Sequence, residues 1–170
     1  MENQASKKAE LKIVRQFRAP QSLVFNAYAS KEAFAEWWGP AGSTLTLLSF
    51  DFREGGRTHY KLDSNGMRMW ALFRYQKIQK PDSIEFLSSF TDPDGNITSS
   101  PFPFDFPLEV YNHITLSETN GITTLTLYAE PVNATAEQEK AFADLNASMN
   151  QGYEGTWGQL DAYLARVQGQ

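Results

Sequence analysis

The stretch that decides the fold is VNATAEQEKAFADLNASMNQGYEGTWGQLDAYLARVQ, residues 132–168. Thr135 and Gln138 have the spacing of a capping box, and Glu137 lies in the first turn, where a negative charge suits a helix N-terminus. Large apolar residues then recur at helical spacing, at Phe142, Leu145, Met149, Tyr153, Trp157, Leu160 and Leu164. The pattern predicts one long amphipathic helix at the end of the chain.

Glycines interrupt this predicted helix at Gly152, Gly155 and Gly158. Each glycine costs about 1 kcal/mol of helix propensity relative to alanine. Their presence therefore predicts either close packing against the helix or a gap that a side chain would fill.

About six predicted strands precede the helix. They are the alternating runs TLTLLSFDF, RTHYKL, MRMWALFRYQKI, SIEFLSSF, LEVYNHITLS and ITTLTLYAE, at 44–52, 57–62, 67–78, 83–90, 108–117 and 122–130. In the first run, alternation puts Thr46, Leu48, Phe50 and Phe52 on one face. Turn sequences rich in glycine, asparagine and aspartate separate the strands.

The chain begins with a further strand and two short helices. LKIVRQF, residues 11–17, alternates as a strand does, and Pro20 ends it and suits the first turn of a helix. Ser30 is a suitable N-cap for a second helix, KEAFAEWW, at 31–38. The order predicts an α+β helix-grip fold, in which a curved antiparallel sheet of about six to seven strands wraps around the C-terminal helix. Residues 1–9 are expected to be a disordered tail and residues 10–168 a single domain.

Composition excludes several classes of function. The net charge is -5 and the isoelectric point is near 5.0, without a basic stripe, so a nucleic-acid partner is not expected. The chain has no cysteine, which excludes disulfides and thiolate chemistry. A polar N-terminus without an apolar signal core, and no long apolar run, predict a cytoplasmic protein that does not insert into membranes.

Sequence motifs connect the chain to a known superfamily. They are AP..LVF.A......F..WWGP at 19–40, DFREGG...Y at 51–60, MW at 69–70 and GYEGTWGQLDAYL at 152–164. With this order of elements, the chain resembles the SRPBCC superfamily, which includes START-like and birch-pollen-allergen-like proteins. Within it, the chain is similar to the small, single-domain bacterial form of the branch named after the activator of heat-shock-protein-90 ATPase. The resemblance runs over about residues 10–167.

The resemblance implies a cavity between the concave sheet and the last helix, open to hydrophobic or amphipathic small molecules. Two positions depart from the family pattern: Gly152–Tyr153 replaces a usual Gly-Trp, and Phe106–Pro107 replaces a frequent Trp-Pro. Co-chaperone activators join such a domain to a separate chaperone-binding domain, for which 170 residues leave no room. A chaperone partner is therefore not expected.

Strand alternation also predicts which side chains face the cavity. The more apolar parity is taken as inward, and most of its residues are expected to form core, including Leu62, Ala71, Ile84, Leu108, Val110, Ile114 and Leu116. Polar groups on that parity should face each other, a water or a ligand, although Asn112 could instead bond a backbone group at a bulge. The predicted ligand-binding cavity is formed by Trp38, Phe50, Phe52, Tyr60, Met69, Phe73, Tyr75, Phe86, Ser88, Phe90, Asn112, Met149, Tyr153 and Trp157.

Two aromatic features leave alternatives open. Neighbouring residues on a helix diverge by about 100°, so of Trp37 and Trp38 one should fill the core and the other face the cavity mouth or the surface. The loop at 101–107 carries phenylalanines that form either a lid over the cavity or a contact with a second subunit.

No catalytic residue and no metal or cofactor site is predicted. His59 and His113 fall on the outward parity, and no hydrolase, metalloprotease or phosphate-binding motif occurs. Only His59, Asp51 and Glu154 could act as an acid or base. The Asp51–Glu54 segment reads as a turn held by an Asp-Arg pair, with an anion-binding rim as the alternative.

The sequence therefore favours non-enzymatic binding of a small hydrophobic or amphipathic ligand. One alternative is a START-like enzyme of cyclase, dehydratase or hydrolase type that uses the same cavity. The other is a protein-interaction module or co-chaperone-like stress protein. The sequence does not decide whether the protein forms a homodimer.

Overall fold

The computed structural model of the chain describes residues 9–169. Residues 1–8 of the expected tail lie outside the described residues, whereas Ala9 is buried and donates its backbone N–H to the Glu139 carboxylate. The elements are β1 Leu11–Phe17, α1 Gln21–Ala29, α2 Lys31–Phe34, β2 Thr44–Phe50, β3 Arg57–Ser64, β4 Met67–Gln79, β5 Ser83–Thr91, β6 Val110–Thr119, β7 Ile122–Pro131, α3 Ala136–Asp144 and α4 Asn146–Val167.

All strands belong to one antiparallel sheet of seven strands, in the order β1-β7-β6-β5-β4-β3-β2. The first strand pairs with the last one, and the two short helices connect β1 at one edge of the sheet to β2 at the other, while α3 and α4 follow β7. Helix α4 buries Trp157, Leu160 and Leu164 against the inner face of that layer. The predicted α+β helix-grip fold is confirmed.

Pro20 and Ser30 mark the starts of the first two helices as predicted, but the second helix is shorter than predicted. Pro20 is the N-cap of α1, and the Ser30 hydroxyl accepts a hydrogen bond from the Ala33 N–H as the N-cap of α2. Helix α2 ends at Phe34 instead of continuing to Trp38, so both tryptophans lie in the turn that follows it.

The predicted single C-terminal helix is wrong in one respect, because Leu145 divides it. The capping box of Thr135 and Gln138 is present, but the backbone of Leu145 has φ -91° and ψ 4°, outside the helical range. On either side of this residue the helices pack differently, with α3 against β7 and α4 against β1 and α1. Because the helix is interrupted at Leu145, α3 and α4 can pack against different elements of the fold.

Close packing does not explain the glycines of α4. A Cβ atom built on Gly152, Gly155 or Gly158 would meet no atom within 4 Å. The alternative expectation, a gap beside the helix, applies to Gly152, which lines a hollow described below.

The face predicted for Leu48, which it was to share with Phe50, and the inward assignment of Leu108 are also wrong. A bulge between Leu47 and Ser49 reverses the alternation in β2, so Leu48 is 46% exposed while Leu47 packs against the core. Leu108, which is also 46% exposed, precedes β6 and does not share its alternation.

Within residues 9–169, no helix is long and apolar enough to cross a membrane.

Candidate functional site

An apolar cavity lies between the inner face of β3–β6 and helix α4. We call its deeper part, of about 200 Å³, the inner chamber. The inner chamber is lined by Trp38, Tyr60, Met69, Ala71, Phe73, Ser88, Ser89, Phe90, Phe106, Pro107, Val110 and Tyr153.

A wider space of about 360 Å³, the outer hollow, adjoins the inner chamber. Its lining comprises Trp38, Gly39, Pro40, Tyr60, Leu62, Met69, Met149, Gly152, Tyr153 and Thr156. Trp38, Tyr60, Met69 and Tyr153 line both spaces, and we call this set the neck. A molecule that enters the inner chamber from the outer hollow must pass these four side chains.

Strand alternation and a glycine turn position the neck. Tyr60 of β3 pairs with Ala71 of β4, so both point to the inner face. After Trp38, the chain turns at Gly39, whose φ of +104° is one that side chains rarely allow. The Gln159 amide of α4 donates a hydrogen bond to the Gly39 carbonyl over 2.7 Å, which fixes this turn against α4.

The adjacent tryptophans have different surroundings. Trp37 is 1% exposed, and its indole N–H donates to the Ala27 carbonyl over 3.0 Å, so it fills the core. Trp38 stacks on Phe34 and meets the edge of Tyr60, with ring centroids 6.2 Å apart in the second pair. Of the two, Trp38 therefore contributes to the cavity wall.

Ser88 and Asn112 face each other on the inner side of the sheet. The Asn112 amide nitrogen donates to the Ser88 hydroxyl oxygen and to the Val110 carbonyl, each over 3.0 Å. Both alternatives for Asn112 thus occur together, a polar side-chain partner and a backbone bond. Ser88 accepts in this contact, so its own hydroxyl proton is not used by it, and Ser88 also lines the inner chamber.

The neck carries polar groups with unused hydrogen-bonding capacity. The indole nitrogen of Trp38 is buried and makes no hydrogen bond of ordinary geometry within the described residues. Burial raises the pKa of Tyr60, an effect that the nearby Trp38 indole partly offsets. Burial also raises the pKa of Tyr153 to about 12. A phenol is already protonated at neutral pH, and both shifts move the pKa further from it.

Several predicted cavity residues pack beside the inner chamber and the outer hollow and do not line them. The Tyr75 hydroxyl shares a hydrogen bond with Thr58 over 2.7 Å. The Trp157 indole donates to the Tyr28 hydroxyl. The predicted residues that do not line the inner chamber or the outer hollow are Phe50, Phe52, Tyr75, Phe86, Asn112 and Trp157. Those that line at least one of them are Trp38, Tyr60, Met69, Phe73, Ser88, Phe90, Met149 and Tyr153.

The cavity prediction missed residues from the loop at 101–107, which we call the phenylalanine loop. Phe106 contacts Phe90 at 6.0 Å and Phe142 at 5.7 Å between ring centroids, and it lines the inner chamber beside Pro107. Phe102 contacts Phe90 from the same loop at 5.9 Å. Loops lack periodicity, so strand alternation could not include these residues in the predicted cavity set; the lid alternative for the loop at 101–107 and the family pattern at Phe106–Pro107 pointed to this position.

His59 lies on the outer face of the sheet, as its parity predicted, but it is buried there. Its Nε2 forms a hydrogen bond with the Thr91 hydroxyl over 2.9 Å, beneath the turn at Gly95. Burial lowers the pKa of the imidazole. His59 is therefore a neutral side chain on the far side of the sheet from the cavity, and it cannot reach a ligand there.

The two candidate carboxylates also lie elsewhere. Asp51 pairs with Arg53 over 2.9 Å, as expected for a turn held by an Asp-Arg pair. Glu154 points to Arg15 of β1 over 3.0 Å. In the part of the chain that the structure describes, no group of three or more His, Cys, Asp or Glu side chains could hold a metal ion.

A helix-grip domain with an apolar cavity under its last helix is the class of protein that this geometry defines. The family model described as "Activator of Hsp90 ATPase homolog 1-like protein" matches residues 18–165, and the chain belongs to that family. The family resemblance noted from the motifs is thereby confirmed.

Solved bacterial structures share the fold over nearly the whole chain. Protein Ms6760 from Mycobacterium smegmatis is 26% identical with a TM-score of 0.76, covering 92% of this chain and 91% of that one. A protein from Staphylococcus epidermidis is 25% identical with a TM-score of 0.73, covering 96% and 93%. The AHSA1 protein from Silicibacter pomeroyi, at 18% identity and a TM-score of 0.71 over 94% and 99%, shows the fold alone. No curated protein matches the chain significantly.

Proposed function

We propose that the protein binds a small hydrophobic or amphipathic molecule non-covalently in the inner chamber and outer hollow. The observation that carries the proposal is an aromatic-walled space of about 200 Å³ that a wider hollow connects to the surface. An apolar cavity of about 150 Å³ is large enough for benzene, so the inner chamber accommodates at least one ring. Proteins of this fold commonly bind hydrophobic ligands.

The chemistry of the cavity supports binding rather than catalysis. Among the described residues, no charged side chain lines the inner chamber or the outer hollow. The cavity thus offers desolvation and orientation of a ligand, which are the properties of a binding site. The acid and base that the enzymatic alternative requires are turned away from it.

The interaction-module alternative has less support. Phe102 and Phe106 of the phenylalanine loop pack on Phe90 at the cavity, and Phe104 stacks on Phe102. A protein-docking loop would present these rings outward, whereas only Phe104 is exposed to an appreciable extent, at 37%.

Tetralin, an uncharged hydrocarbon with two fused rings, is a suitable probe for this proposal. Binding should raise the melting temperature as the tetralin concentration increases. Ala71→Leu fills part of the inner chamber and should abolish the shift. The matched control is Ala143→Leu, which adds the same atoms at an exposed position of α3 and should leave the shift unchanged. A wild-type protein that neither tetralin nor its ketone 1-tetralone stabilises would overturn the proposed function.

A further inference from the structure

The neck presents one buried donor, the Trp38 indole N–H, that makes no hydrogen bond of ordinary geometry within the described residues, although it lies near enough to the Tyr60 hydroxyl to lower the pKa of that group. The Trp38 indole N–H is buried, and an indole can only donate a hydrogen bond. A buried donor without a partner costs free energy that an arriving acceptor recovers. Trp38 lines both the inner chamber and the outer hollow, so an acceptor placed at the neck can reach it.

The phenols of the neck reinforce this preference. The Tyr60 ring lies edge to face with Trp38, and the Tyr153 ring contacts Trp38 at 6.4 Å between centroids. A phenol is protonated at neutral pH, and burial moves the pKa of both groups further upward, so each hydroxyl can donate its proton. Deeper in the inner chamber, the Ser88 hydroxyl also retains a free proton, since it accepts from Asn112.

Ser89 is among the lining residues of the inner chamber, and its hydroxyl oxygen is also buried without a partner, but strand alternation directs its side chain to the outer face of the sheet. Successive side chains of a strand point to opposite faces, so the side chain of Ser89 lies opposite that of Ser88. Ser89 pairs with Leu72 of β4, which shares the outer face with His59. Arg74 Nε, which is also buried without a partner, lies on the outer parity between Phe73 and Tyr75. Among the described side chains, the buried and unpartnered donor that faces the cavity is therefore the Trp38 indole N–H.

Charge narrows the ligand class further. An ionised ligand would lose its hydration in this cavity without meeting a charged partner among the described lining residues. A pure hydrocarbon would leave the Trp38 donor unsatisfied. A neutral molecule with one acceptor oxygen meets both conditions.

We propose that the natural ligand is a neutral ring compound with a carbonyl oxygen, which accepts a hydrogen bond from the Trp38 indole N–H while the apolar ring occupies the inner chamber. This inference rests on the proposed function and names the ligand class of the same site. Trp38 is then the residue that selects a ketone, quinone or lactone over a hydrocarbon of the same shape.

Matched probes test the role of the carbonyl. 1-Tetralone and tetralin have the same fused rings and differ in one carbonyl group, and calorimetric titration gives the dissociation constant of each. We expect 1-tetralone to bind about tenfold more tightly than tetralin. The anion 1-naphthoate should bind more weakly than either.

Trp38→Phe removes the donor and keeps an aromatic ring. We expect it to remove the preference for 1-tetralone, so that the ratio of the two affinities falls from about ten to about one, whatever the loss of the larger ring does to the binding of both probes. Trp70→Phe, in the same strand as Met69 but on the opposite parity, is the matched control and should keep the preference. As a measurement without a variant, the Trp38 indole N–H resonance in the wild-type protein should shift with 1-tetralone and much less with tetralin.

The outcomes separate this inference from the proposed function. Equal affinity for the two probes, or a preference that survives Trp38→Phe, would overturn the carbonyl inference while leaving a binding cavity. Tighter binding of 1-naphthoate than of 1-tetralone would overturn the neutral ligand class. If neither 1-tetralone nor tetralin binds, both the proposed function and this inference are wrong.

Discussion

The indole N–H of Trp157 donates a hydrogen bond to the hydroxyl of Tyr28 over 3.1 Å, which joins helix α4 to helix α1 inside the core. Both side chains are buried, and the ring of Trp157 also packs against Phe17 and Tyr153. The contact holds α4 at a fixed position above the sheet. It therefore sets the height of the cavity that α4 covers.

Tyr28→Phe should destabilise the protein by about 1–3 kcal/mol, because the Trp157 donor would lose its acceptor in a buried position. Urea unfolding followed by circular dichroism measures the change in the free energy of unfolding. Tyr163→Phe is the control, since the Tyr163 hydroxyl makes no hydrogen bond within the described residues and its ring contacts Arg166. Equal losses in the two variants would contradict the role of the Trp157 contact.

Ser88 and Asn112 should be energetically coupled. Asn112→Leu alone should cost about 1–3 kcal/mol, because the Val110 carbonyl also loses its donor. Ser88→Ala removes the other partner of the Asn112 amide. A double-mutant cycle by urea unfolding should give a coupling of about 0.5–1.5 kcal/mol. Strictly additive losses would show that the hydrogen bond between the two side chains contributes nothing.

The glycines of α4 provide a matched pair of substitutions. Gly155→Leu should stabilise the helix by about 0.5–1 kcal/mol, since the added side chain meets no neighbour at its Cβ. Gly152→Leu should gain a similar helix propensity but obstruct the outer hollow, which Gly152 lines. Thermal unfolding and titration with 1-tetralone separate the two effects. Unchanged 1-tetralone binding in Gly152→Leu would show that ligands do not pass there.

The phenylalanine loop should slow the escape of a bound molecule. Phe106→Ser opens the wall of the inner chamber and should increase the dissociation rate of 1-tetralone several-fold, measured by stopped-flow fluorescence. Phe104→Ser in the same loop changes an exposed ring and should leave the rate near that of the wild type. A dissociation rate that responds equally to both substitutions would point to loss of the loop structure.

His59 should make the protein less stable in mild acid. Burial is the main cause that lowers the pKa of its imidazole from 6.5, with Arg57 acting in the same direction against opposing effects from Asp92 and Asp94. The unfolded chain therefore takes up the proton at a higher pH than the folded chain. The contribution to stability is complete above about pH 6.5 and decreases as the pH falls toward the folded pKa.

His59→Gln should flatten this dependence, because glutamine does not titrate. Urea unfolding at a series of pH values between about 7 and 5 compares the slopes of the two proteins. Parallel curves would show that protonation of His59 does not contribute. The Thr91 hydrogen bond can be kept by glutamine, so the variant should fold.

Periodicity predicted most of the sheet because its strands have one face on the core. In β4, for example, Phe73 and Tyr75 are buried while Arg74 between them is partly exposed, as alternation requires. Two departures had no local signal. The bulge at Leu48 and the break at Leu145 involve leucine, which favours neither feature, so tertiary packing determines them.

The cavity was only partly predictable for a geometrical reason. Alternation tells which face a side chain occupies, but not what covers that face at each point along the strand. Phe73 and Tyr75 share the inner face, yet Phe73 reaches the inner chamber while Phe52 packs on Tyr75 at 4.8 Å. The position of α1 and of the phenylalanine loop decides this, and neither follows from the strand sequence.

Strand β2, at one edge of the sheet, reads TLTLLSF and contains no charged residue. Such an edge presents free backbone groups to which a second chain could add a strand, which is how ordered aggregates begin. The bulge between Leu47 and Ser49 interrupts the regular spacing of those groups in the middle of the strand. An incoming strand can match the hydrogen-bonding groups of β2 on one side of Leu48 but not on both. The bulge therefore hinders the addition of a second chain at an edge that has no charged side chain to prevent it.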